Sequence, residues 1–120
     1  MDAVEAFKPN IDRYQLKRKY NKVFNIDIRD FEYSYYDCII LGDVLEHLSV
    51  EDGQKVLQYA NSHCKDIIIA IPYLLPQTEI YGNKWERHIQ DDLTDEIFHQ
   101  RFPGYVSLWQ NNQYGYYHKK

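Results

Sequence analysis

Two β-branched apolar runs, "YDCIIL" at 36–41 and "DIIIAI" at 66–71, restrict this chain more than any other feature. Both are continuous rather than alternating, the pattern of a strand covered on both faces. Between them Val50, Gly53, Leu57 and Ala60 recur at helical spacing, behind a Ser49 and Asp52 pair that resembles a capping box. A strand, a crossover helix and a second strand predict parallel neighbours in an α/β sheet. Pro72 stops the second strand, because it has no N–H to give to a ladder.

The remaining segments extend that alternation. "DAVEA" (2–6) reads as the tail of a strand, residues 9–20 as a helix with Pro9 and Asn10 near its start, and "KVFNIDI" (22–28) as another strand. Residues 72–93 form a connection longer than most in compact domains, and connections of that length are often functional. Thr94, with Asp95 and Glu96 behind it, opens a short helix reaching about Arg101. "YVSLWQ" and "YGYYHK" flank "NNQ" and predict an antiparallel hairpin. The expected architecture is a mostly parallel α/β sheet ending in that hairpin, within one domain over residues 1–120.

Composition narrows the partners. With 120 residues, 44% hydrophobic and 16% aromatic, the chain has ample material for a core. A net charge of -4 gives no reason to expect nucleic acid or an anionic membrane as partner. The basic stretch "RYQLKRKYNK" (13–22) is better read as a solvated helix face than as a nucleic-acid patch. Cys38 and Cys64 lie in or beside apolar runs without metal-ligand spacing, so buried reduced thiols and no metal site are expected. No apolar run has the ~18 residues of a membrane span and no signal peptide is evident, which leaves a cytoplasmic location as the default.

Ionisable residues cluster where the predicted strands end. In open parallel sheets ligands bind outside the carboxyl ends of the strands. Glu5 follows the first strand fragment, Asp27 the second and Asp43 the third, with Pro72-Tyr73 after the fourth. A carboxylate in the place of Glu5 suits the two hydroxyls of a ribose. Asp27 suits an exocyclic amino group, and the Ile28 N–H a ring nitrogen. Gly42, lacking a Cβ, lets the chain pass close beneath a ligand, and Asp43 suits a cationic centre. Each is also an ordinary cap or loop charge when taken alone. Glu46 and His47, being adjacent, point about 100° apart on a helix and are not expected to line one pocket equally. His47 is the candidate base or substrate contact, against a simple loop-fixing hydrogen bond. Trp85 and His88 lie three apart in the long connection, where anchoring of the loop is the better role for the Trp.

"DAVEAF", "FNIDIRDF", "YDCIILGDVLEHL", "DIIIAIP" and the closing hairpin, in that order, resemble the class I S-adenosylmethionine-dependent methyltransferases over nearly the whole chain. The resemblance implies a Rossmann-like sheet of strand order 3-2-1-4-5-7-6, the last strand antiparallel, and S-adenosylmethionine as cofactor. It implies Glu5 on the ribose, Asp27 and Ile28 on the adenine with Phe7 or Ala6 packed against it, and Gly42 and Asp43 beside the methionine part. Methyl transfer of this kind relies on alignment, and the family has no common catalytic residue; His47 is assigned to the substrate side. The family's first, central strand and its glycine-rich turn belong about twenty residues before the acidic position, and only four residues precede Glu5. Three arrangements follow: direct pairing of the flanking strands, self-association of copies through open sheet edges, or a chain that is a piece of a longer protein. Two functions compete with a methyltransferase. One is a non-catalytic interaction module built on the same fold, favoured by the missing turn. The other is a different nucleotide-binding α/β protein such as a reductase, which the hairpin and "LGDVLEHL" oppose.

Overall fold

Strand β3 (Tyr36–Gly42) runs parallel to β4 (Cys64–Pro72), with Leu41 opposite Ile69 and Gly42 opposite Ala70. The computed structural model describes all residues, Met1–Lys120, and they form two units, Met1–Glu32 and Tyr33–Lys120. In the larger unit the connection between β3 and β4 contains α3 (Val50–Asn61), capped by the Ser49 hydroxyl, which accepts the Asp52 N–H at 3.1 Å. Beyond β4, helix α4 (Asp95–Arg101) begins at Thr94, whose hydroxyl accepts the Ile97 N–H at 3.1 Å. The chain then makes the predicted hairpin of β5 (Tyr105–Gln110) and β6 (Tyr114–Lys119). It is β6, not β5, that pairs antiparallel with β4, giving the order β3-β4-β6-β5. β4 stops at Pro72, as expected, with Pro72 opposite Tyr114 on the last rung.

One face of this sheet holds the core. Leu41, Ile67, Ile69, Ile71, Tyr105 and Tyr117 are buried, and Phe98 of α4 stacks on Tyr117 with ring centroids 3.8 Å apart. Gly53 of α3 admits the Phe102 ring, whose edge would lie 3.1 Å from any added Cβ. The other face differs from the sequence expectation. Ile40, Trp109 and Tyr116 are exposed on it, and Cys38 is exposed too, so only Cys64 is the buried thiol foreseen. Continuous apolarity in β3 thus overstates its cover: α3 and α4 supply side chains to one face only.

Gly115 of β6 is required by close approach. A Cβ there would fall 2.6 Å from Tyr73 Cζ and 2.8 Å from Tyr117 Cε2. Gly115→Ala is therefore expected to cost about 1–3 kcal/mol in thermal or urea unfolding, the usual range for overpacking. An unchanged midpoint would show that the Tyr73 ring swings aside freely.

In Met1–Glu32, β1 (Ala3–Val4) and β2 (Val23–Phe24) form a separate two-stranded parallel sheet. β3 has no ladder partner but β4. The single long helix expected over 9–20 is two short ones, α1 (Lys8–Arg13) and α2 (Leu16–Lys19), broken at Gln15, whose φ is 51°. Ile11 is the one buried residue in either, and so short an apolar face does not hold a long helix in line. The strand expected over 22–28 is short because Asp27 caps a 3₁₀ turn, Ile28–Asp30, by accepting the Arg29 N–H. No helix is long and apolar enough to cross a membrane.

Candidate functional site

The turn after β3 gathers the ionisable groups. Asp43 takes a left-handed conformation, φ 54°, with its N–H donating to Ala70 O at 3.0 Å. Its Oδ1 accepts the Tyr114 hydroxyl, and burial together with that carboxylate pushes the Tyr114 phenol well above its ordinary range. Space above Gly42 is open: an added Cβ would meet nothing within 4 Å. Leu45–His47 then form a 3₁₀ turn before the α3 cap.

Glu46 on this turn is 1% exposed, and neither carboxylate oxygen has a hydrogen-bond donor. Burial pushes its carboxyl up to about 8, with smaller contributions from the charges of Asp43 and Glu86, against a lowering by its own backbone. His47 Nε2 stands 3.5 Å from Glu46 Oε1. Burial lowers the imidazole of His47, which favours the neutral ring. The connection after β4 brings a third group to the same place. His88, 9% exposed, packs edge-on against His47 with ring centroids 4.7 Å apart. One ligand atom each from Glu46, His47 and His88 lie within 4.8 Å of one another.

Tertiary hydrogen bonds fix this meeting. The Glu46 carbonyl accepts the N–H groups of both Ile89 (2.8 Å) and Gln90 (3.0 Å). The buried Gln90 amide donates to the carbonyls of Leu45 and Leu48 at 3.0 and 2.9 Å, and its oxygen accepts from Arg101, which is also paired with Asp92. Further out, Gln77 O accepts the His88 N–H, and Asn83 caps a 3₁₀ turn, Lys84–Glu86, that contains Trp85. Trp85 thus sits on an anchored turn of the loop, and its neighbour Lys84 places its ammonium over the indole.

The expectation of no metal is overturned here. Two imidazoles and a carboxylate converge in a way that cysteine spacing could not reveal, and they form a donor set able to hold a cation. Glu46 and His47 also converge despite being adjacent. Helical angles set the directions of their Cβ atoms, while the ends of the side chains turn back toward each other. His88, 41 positions beyond His47, had no sequence signal except its place in a loop of unusual length.

Each residue expected to meet a cofactor is placed differently. Glu5 is half-buried at the end of β1, where the Asn25 amide donates to the carbonyls of Glu5 and Ala6 and holds the turn. Its Oε1 accepts the Phe7 N–H at 2.9 Å, and Oε2 is left as an acceptor. Ile28 opens its 3₁₀ turn, the position where a backbone N–H has no partner within the turn. Asp27 is engaged on both oxygens, by the Arg29 N–H and Nε on Oδ1 and by Arg29 Nη2 on Oδ2 at 2.6 Å. Glu5 thus keeps one carboxylate oxygen outside its turn, whereas both oxygens of Asp27 are taken by Arg29.

The order β3-β4-β6-β5, two parallel strands and then a hairpin whose second strand inserts before its first, is the 4-5-7-6 half of the order that the resemblance implies. The fold is that of the class I S-adenosylmethionine-dependent methyltransferases, with a reduced sheet. No family model and no curated protein matches the chain in sequence. Among solved structures, the chain is similar to the N-methyltransferase NodS from Bradyrhizobium japonicum WM9, with a TM-score of 0.62 and 10% identity over 98% of this chain and 71% of that one. It is similar to the magnesium protoporphyrin IX methyltransferase ChlM from Synechocystis PCC 6803 with bound SAM, with a TM-score of 0.60 and 12% identity over 99% of this chain and 59% of that one. The small RNA methyltransferase HEN1 matches with a TM-score of 0.66 and 15% identity, over 99% of this chain and 20% of its own. The chain thus spans less than two thirds of the last two.

Proposed function

We propose that the chain serves S-adenosylmethionine-dependent methyl transfer. The observation that carries this reading is the inserted antiparallel strand β6 beside the parallel pair β3-β4, with open space over Gly42 at the carboxyl end of β3. In the Met1–Glu32 unit, Glu5 is proposed to accept the ribose hydroxyls, with Ile28 and, on release of Arg29, Asp27 at the adenine. In the Tyr33–Lys120 unit, Gly42 and Asp43 are proposed to border the methionine part. The cofactor supplies a methyl group on a sulfonium. The chain's own residues have to hold it in line with the acceptor, which is the larger part of the rate in such a displacement. His47, at the same strand end as Asp43, is proposed to face the acceptor.

Isothermal titration with S-adenosylmethionine is expected to show saturable binding, weakened at least about tenfold in Glu5→Ala, the loss of a charge-assisted hydrogen bond. No heat at millimolar cofactor would overturn the reading. It would favour the second one, an interaction module, for which the exposed face with Ile40, Trp109 and Tyr116 speaks.

A further inference from the structure

We propose that Glu46, His47 and His88 form a binding site for a first-row divalent metal ion. The first ground is hydrogen bonding. His47 Nδ1 lies 3.1 Å from Arg87 O, and His88 Nδ1 lies 2.6 Å from Leu75 O. A carbonyl oxygen only accepts, so in each ring Nδ1 carries the proton and donates it. Nε2 is then left as a bare lone pair in both rings. Metal-binding histidines are oriented in this way, with the nitrogen away from the metal tied to a backbone carbonyl.

The second ground is what these two rings face. Glu46 is 1% exposed, and its two oxygens accept no hydrogen bond. With its carboxyl ionised, buried Glu46 turns acceptor oxygens toward two imidazoles, 3.5 Å from His47 Nε2, and a cation among them is what balances the set. Two donors about 2.1 Å from one metal lie about 3.0–3.5 Å apart. The 3.5 Å from His47 Nε2 to Glu46 Oε1 already has that spacing, and the set as a whole, within 4.8 Å, closes by side-chain adjustment.

The third ground is rigidity. The double hydrogen bond to the Glu46 carbonyl and the Gln90 side chain tie the turn bearing Glu46 and His47 to the segment bearing His88. The backbone that carries the three side chains is fixed before any ion arrives. Two imidazoles and one carboxylate favour ions from Mn²⁺ to Zn²⁺ over Ca²⁺ and Mg²⁺, which prefer oxygen. Three protein ligands leave coordination positions open, as in catalytic rather than structural sites. An oxygen of water or of an acceptor molecule is the fitting fourth ligand. The inference goes beyond methyl transfer and does not depend on it, because binding is read without cofactor.

The full chain, stripped with chelator, is titrated separately with Mn²⁺, Co²⁺ and Zn²⁺ by calorimetry, and with Co²⁺ by visible absorption. One ion per chain is expected, with affinity at least about tenfold lower in Glu46→Gln and in His88→Asn, while far-ultraviolet circular dichroism confirms that both fold. Excess Ca²⁺ is expected not to compete. Absence of saturable binding at millimolar concentration of all three ions would overturn the site and leave a proton as the neutralising cation. Binding unchanged in both folded variants would overturn it equally. Should the variants not fold, electron spin-echo spectroscopy of Mn²⁺ on the unaltered chain decides: imidazole nitrogen couplings support the site, and their absence refutes it.

Discussion

Replacing Phe98 by alanine is expected to lower the stability of the Tyr33–Lys120 unit by about 3–5 kcal/mol, the usual cost of truncating a buried phenylalanine. Phe98 has no exposed surface and stacks on Tyr117 at 3.8 Å, with Phe102 at 5.5 Å and Tyr105 at 6.2 Å between ring centroids. Tyr117 stands on the inserted strand β6, and its hydroxyl is bonded to Asp95 Oδ1 at 2.9 Å and to Tyr73. One ring thus joins α4 to the sheet where the hairpin meets β4. Its removal opens a cavity that neighbours cannot fill, because Tyr117 is held at its hydroxyl and Phe102 is lodged against Gly53. A unit of this size has about 5–15 kcal/mol in all, and each kcal/mol is roughly 4–8 °C in Tm. The melting temperature is expected to fall by more than about 12 °C, with Phe98→Leu losing much less. A loss under about 1 kcal/mol in urea unfolding would mean that α4 is not docked through this ring.

How far the chain announces this fold depends on how local each signal is. The hairpin is read from sequence with its bounds intact, since "NNQ" and two aromatic runs specify it without help from elsewhere. Ser49 and Thr94 cap as their spacing predicts, because a cap is a bond over three residues. The 9–20 helix misleads for the opposite reason: nothing in its pattern marks Gln15 as the break. The exposed side of β3 is equally silent, as Ile40 reads the same whether or not a helix covers it. The candidate site follows the same division. Glu46 and His47 are conspicuous beyond a strand end, but their meeting with His88 is made by Gln90 and by two N–H groups on one carbonyl, bonds more than forty positions apart in sequence. Such contacts exist only after the chain has folded.

In the metal-free protein, stability is expected to fall as pH rises between about 6.5 and 8, and Glu46→Gln is expected to remove most of that fall. Burial raises the Glu46 carboxyl from 4.5 to about 8, so the native state holds its proton more tightly than the unfolded chain. The contribution is fully present below 4.5, where both states are protonated. It is withdrawn as the unfolded chain ionises, by about 1.4 kcal/mol per unit, and the loss levels off once the native carboxyl also ionises near 8. The total is on the order of 5 kcal/mol. His47 acts in the other direction. Burial lowers its native value, so its contribution is present above the ordinary histidine value and is lost as pH falls below it. The two slopes oppose each other below about 6.5, the ordinary histidine value, and above it Glu46 acts alone. The difference in unfolding free energy between the parent and Glu46→Gln, measured in chelator from pH 5 to 9, isolates the carboxyl. A difference that stays flat would show that Glu46 is already ionised in the native state at pH 5. Saturating Zn²⁺ is expected to reverse the slope over the same interval, because a metal binds the ionised carboxylate and the neutral imidazoles and so stabilises more strongly as protons leave. The sign of that slope separates a site that holds a proton from one that holds a metal.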